Sequence, residues 1–105
     1  MAGVKNLGHA NIRVRDVERS EKFYTEVMGL EVTNRSPGSM VFMIAGGDLS
    51  HELALVSVGD EAPGPEPSRV GLAHMAWQMD SFDDLKRMSR HLKKKRVNIA
   101  KMGNR

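Results

Sequence analysis

Apolar and polar residues alternate over residues 7–14, with Ala10, Ile12 and Val14 on one side and His9, Asn11 and Arg13 on the other. That is the period of a half-buried strand, which we place at residues 5–15, with Asp16 as the N-cap of a following helix. Over residues 17–28 the period lengthens: Val17, Phe23, Tyr24, Val27 and Met28 make one apolar side and Gly29 closes the helix. Further strands are expected at residues 30–34, ending near the Pro37-Gly38 turn, at the nearly continuous apolar run 40–45, and at 51–58 after a Gly46-Gly47-Asp48 reversal. Residues 5–58 therefore read as a βαβββ module.

Residues 59–69, with Pro63, Pro65 and Pro67 among glycine and acidic residues, have linker composition. Beyond them the first pattern returns. Leu72-Ala73-His74-Met75-Ala76-Trp77-Gln78-Met79-Asp80 repeats the plan of Leu7-Gly8-His9 to Asp16, which predicts a second strand over 70–79 with Met75, Trp77 and Met79 facing a helix. Ser81 reads as an N-cap with Asp84 three residues on, and Phe82, Leu85, Met88 and Leu92 supply the apolar stripe of that helix. A strand begins at residues 97–99, so residues 70–105 read as an incomplete βα(β) module. The expected class is α+β, one domain over residues 1–105. His9 and His74 then leave equivalent positions of two equivalent strands, on the face that the helices leave open, which makes them candidate metal ligands.

Composition narrows the chemistry. The chain has no cysteine, so disulfides, thiol catalysis and sulfur-ligated metals are excluded. No apolar run is long enough to span a bilayer and no signal peptide opens the chain, which places it in the cytoplasm. The net charge of +3 is concentrated in one helix, where Lys86, Arg87, Arg90, Lys93, Lys94, Lys95 and Arg96 follow one another without interleaved aromatics. We read that run as a solvated face, with neither nucleic acid nor membrane as a partner. Trp77 and the methionines belong to the core phase, whereas Asn11 and Arg13 share the open side with His9 and are candidates to hold an anionic substrate group.

These residues resemble the vicinal oxygen chelate superfamily, which includes glyoxalase I, bleomycin resistance proteins and extradiol ring-cleaving dioxygenases. The resemblance is carried by Leu7-Gly8-His9, Arg15-Asp16, Ser20, Phe23-Tyr24 and Gly29-Leu30, by His51-Glu52-Leu53-Ala54-Leu55, and by Gly71-Leu72-Ala73-His74-Met75-Ala76-Trp77. The His-Glu-Leu-Ala-Leu stretch is most similar to the extradiol enzymes. It implies His51 as an acid–base residue beside substrate and dioxygen, with His9 and His74 as ligands of Fe(II), or alternatively Mn(II). Glyoxalase I places a carboxylate ligand on the inward side of this strand. Here Leu53 and Leu55 are in phase with His51, so Glu52 is read as pointing away from the cleft.

The family's third ligand, a carboxylate from the last strand of the second module, matches no residue of this chain. The resemblance thus implies a truncated, metal-dependent, extradiol-type protein acting on a small catechol-like aromatic. The alternative is a small-molecule-binding module of the glyoxalase and bleomycin resistance type, without catalysis and with no ion bound. The missing strands also imply an open sheet edge, hence a homo-oligomer.

Overall fold

The structure is a computed structural model that describes residues 2–46 and 52–99. It is α+β, with four strands and two helices in the order β1 (Ala10–Val14), α1 (Val17–Glu26), β2 (Glu31–Ser36), β3 (Met40–Ile44), β4 (Leu53–Ser57) and α2 (Phe82–Lys94). The chain divides into two compact units, Met1–Pro63 and Gly64–Arg105. The division falls inside the proline-rich stretch of residues 59–69.

In the first unit the strands form one mixed sheet in the order β1-β4-β3-β2. β2 and β3 are an antiparallel hairpin and β3 pairs antiparallel with β4, whereas β1 pairs parallel with β4. The parallel pair requires a long connection between its members, and α1 with the hairpin provides it. Asp16 opens α1 by accepting the amides of Glu18 at 3.1 Å and Arg19 at 3.2 Å through Oδ1. These donors have no partner inside the helix, so the carboxylate supplies what the first turn lacks. Gly29, at φ 78, and Gly38, at φ 75, occupy left-handed positions after α1 and in the β2–β3 turn, where a side chain would be strained.

The pairing register sorts the sheet into two faces. Ala10, Ile12 and Val14 align with Leu53, Leu55 and Ser57, and these with Val41 and Met43 on β3. Val41, Met43, Leu53 and Leu55 are buried together with Val17 and Leu30. Arg35, in register with Val41, reaches Glu21 of α1 at 3.0 Å, which identifies this as the helix side. The opposite face carries Asn11 and Arg13, exposed, beside Ala54 and Val56 and beside Met40, Phe42 and Ile44. Apart from Ala54, which is buried, its apolar side chains are half-buried.

In the second unit, Ser81 Oγ accepts the Asp84 amide at 3.1 Å and donates to the Asp84 carboxylate at 3.0 Å, which fixes the start of α2 as expected. Two expectations change. Residues 70–79 are not a strand, although their burial alternates as anticipated, with Met75, Trp77 and Met79 half-buried and His74, Ala76 and Gln78 exposed. Residues 97–99 are not a strand either. A strand is defined by a hydrogen-bonded neighbour, and period-2 patterning alone does not supply one. The stripe of α2 is also only half used: Met88 and Leu92 are half-buried, but Phe82 and Leu85 are exposed. Among the described residues no helix is long and apolar enough to cross a membrane.

Candidate functional site

The open face of the first unit's sheet gathers the polar residues that the sequence singles out in that unit. β1 is shorter than expected, so His9 lies immediately before the strand and not inside it, exposed to solvent. Asn11 and Arg13 follow it along β1 at the spacing that keeps them on one face, and both are exposed. His51 lies outside the described residues. His74 is exposed in the irregular stretch of the second unit that precedes α2. Among the described residues no three His, Asp or Glu side chains are assembled into a group that holds a metal ion.

Leu53 and Leu55 point into the core beneath α1, so the residues of β4 in their phase face the helix. Glu52 stands just before β4, and its amide donates to the Met43 carbonyl of β3 at 2.9 Å, so the alternation of β4 does not extend to it. Its carbonyl accepts the Ala10 amide at 3.0 Å. Glu52 is half-buried and its Oε1 accepts the Ala45 amide at 3.3 Å, an anchor that holds the carboxylate at this end of the sheet. Hydropathy alternation separates the two sides of β4 but does not say which side is covered. The residues flanking Glu52 contained the signal, since Leu53 and Leu55 are the larger apolar pair and belong in the core.

The imidazole of His9 and the carboxylate of Glu52 are nitrogen and oxygen donors of the kind that first-row divalent ions take. Asn11 and Arg13 add a hydrogen-bonding amide and a cation further along the same face, suited to an anionic oxygen. The apolar side chains of Phe42, Ile44 and Val56 form the remainder of the surface. A cavity of ≈ 490 Å³ lies elsewhere, at the far end of β1 against α1, lined by Val14, Asp16, Ser20, Phe23 and Tyr24 among others. None of the sequence-predicted site residues borders it. Tyr24 is half-buried there, its ring meeting Phe23 edge to face at 5.3 Å, and burial pushes its hydroxyl above the ordinary pKa of 10.0.

Comparison with known proteins gives a consistent picture. The profile of the glyoxalase/bleomycin resistance protein/dioxygenase superfamily matches residues 6–103. A manganese-dependent 2,3-dihydroxybiphenyl 1,2-dioxygenase of Geobacillus genomosp. 3 is 26% identical over 98 residues, 93% of this chain and 28% of that protein. A metapyrocatechase of Geobacillus stearothermophilus is 31% identical over 91 residues, 87% of this chain and 25% of that protein. The chain thus spans about a quarter of the length of these relatives. Among solved structures, a lactoylglutathione lyase from Agrobacterium tumefaciens superposes with a TM-score of 0.73 at 20% identity, over 98% of this chain and 79% of that one. At that identity the likeness concerns the fold.

Proposed function

Because the chain belongs to the glyoxalase/bleomycin resistance protein/dioxygenase superfamily, we propose that it is a metal-dependent module of extradiol type, acting in the ring cleavage of a catechol-like aromatic by dioxygen. The observation that supports this reading is the open face of the β1–β4 pair, where Asn11 and Arg13 stand exposed beside the apolar Phe42 and Val56. His9 offers an imidazole nitrogen and Glu52 a carboxylate oxygen, donors that suit Fe(II) or Mn(II), and the resemblance implies His74 as a further imidazole. The catechol dioxygenases among its relatives, one of them named for manganese, support the same chemistry.

A bound ion of this type supplies charge neutralisation and a Lewis acid for two adjacent oxygens. The side chains do the rest. Arg13 and Asn11 orient the anionic oxygen of the substrate along β1, and the apolar surface of Phe42 and Val56 receives the ring. His51, in the role the resemblance gives it, takes a proton from the catechol hydroxyl and returns it at a later step, which a side chain titrating near neutrality can do.

The test is a metal analysis joined to an activity assay. The chain, loaded with Fe(II) or with Mn(II) and supplied with catechol in air, is expected to bind one equivalent of ion and to form the yellow ring-opened product. His9→Ala and Glu52→Gln should each lower the ion content, whereas His51→Ala should lower turnover with the ion retained. Wild-type ion content in both ligand variants would overturn the assignment.

A second reading has its own observation. The open face is largely apolar, through Met40, Phe42, Ile44 and Val56, and such a surface takes up a small apolar molecule without any metal. Catechol binding that persists in a chelator, without turnover, would select it.

A further inference from the structure

The charge of this chain is divided unevenly between its two units. Residues 1–63 hold six Lys and Arg against nine Asp and Glu, residues 64–105 ten against four, so the excess of positive charge resides in the second unit. Half of it is on α2, whose five Lys and Arg stand against Asp83 and Asp84. At about 100° per residue, Lys86, Arg87, Arg90, Lys93 and Lys94 fall within roughly 120° of the helix circumference and extend over about 12 Å of its axis. Lys86 and Arg87 have acidic neighbours on the same helix, Asp83 at 3.8 Å and Asp84 at 3.2 Å. Arg90, Lys93 and Lys94 form no ion pair among the described residues. Charges of one sign aligned in this way repel one another, and an anionic surface relieves the repulsion.

A solvated face would end at these cations, with the helix's apolar side chains buried on the other side. The structure departs from that arrangement. Phe82 is 63% exposed and Leu85 51% exposed, and on the helical wheel both lie beside the cationic arc, between it and the half-buried Met88 and Leu92. The Lys86 ammonium stands over the Phe82 ring, 4.8 Å from its centre, so aromatic and cation form one continuous patch. Polyanions such as duplex nucleic acid satisfy the cations but have no apolar layer for Leu85. A bilayer containing anionic lipid satisfies both, because phosphates meet the Lys and Arg side chains while Phe82 and Leu85 enter the boundary between headgroups and acyl chains.

We propose that α2 docks this protein peripherally on an anionic lipid surface, through Arg90, Lys93 and Lys94 with Phe82 and Leu85 as the shallow apolar contact. The attachment is superficial, since the cationic arc stays in water and only two apolar side chains are available.

The experiment is co-sedimentation of the full chain with vesicles of phosphatidylcholine alone and with about a third phosphatidylserine, at roughly 0.05 and 0.5 M salt. Binding is expected only to the anionic vesicles and should weaken at the higher salt. Replacing Arg90, Lys93 and Lys94 together by Gln should reduce partitioning about a hundredfold, at roughly fivefold per cation. The variant with Phe82→Ser and Leu85→Ser should bind about tenfold more weakly and with greater salt sensitivity. Replacing Arg90 by Lys, and Lys93 and Lys94 by Arg, keeps the charge and should bind as the wild type; far-UV circular dichroism confirms that each variant retains its helix. The proposal is overturned by absence of binding to the anionic vesicles, by equal binding to neutral ones, or by complete displacement with duplex DNA at equal phosphate concentration.

Discussion

Glu52 shows how a single position acquires a role from its neighbours. Its amide donates to the Met43 carbonyl, its carbonyl accepts the Ala10 amide and its Oε1 accepts the Ala45 amide, so both neighbouring strands hold it at the start of β4. Glu52→Gln keeps the acceptor for the Ala45 amide and removes only the negative charge, so it should fold normally while losing ion affinity, measured by titration with Mn(II). Tyr24 gives a prediction that is independent of metal. Burial raises its pKa, so the folded chain keeps the phenolic proton to higher pH than the unfolded chain does. That stabilisation is whole below the ordinary value of 10.0 and is lost as pH rises through the higher folded value. Urea midpoints measured on either side of that range should therefore fall with pH more steeply for the wild type than for Tyr24→Phe.

At the scale of elements, the sheet is organised around β4, the strand with a neighbour on both sides and three consecutive buried residues. Leu55 sits fully buried between Ile12 on β1 and Val41 on β3. Leu55→Ala should cost about 2–5 kcal/mol, since it leaves a cavity under α1 that the flanking strands cannot close, and chemical denaturation measures it. α2 depends more on its own ends, having no buried residue. Ser81→Ala removes the acceptor of the Asp84 amide and should cost about 1 kcal/mol, visible as reduced helix content by circular dichroism.

At the scale of the whole molecule, β1 has a sheet partner on one side only among the described residues, and its other side presents backbone donors and acceptors in a row. Such an edge is a template for another strand. We propose that the chain self-associates through it. Sedimentation velocity over a range of concentrations is expected to show a dimer that dissociates on dilution, and a proline in place of Arg13, whose amide faces away from β4, should weaken the dimer only if the outer edge is used. A monomer at every concentration would leave the edge to be covered within one chain.

Much of this protein is determined by local rules. The period-2 and helical patterns, Asp16 and Ser81 as caps, and Gly29 as a stop place β1, α1 and α2 within a few residues, because each depends on side chains that are near in sequence. The repeat of Leu7-Gly8-His9 at Leu72-Ala73-His74 was legible for the same reason, and so was the superfamily. What only tertiary structure decided is which face of β4 is covered. Alternation defines two faces but carries no label for the one a helix packs upon; the ion pair from Arg35 to Glu21 and the burial of Leu53 and Leu55 supply it. The stretch 70–79 makes the same point in the opposite direction. It has the alternation of a strand and even the alternating burial, yet it is not one, because a strand is a relation between two chain segments and sequence pattern describes only one of them.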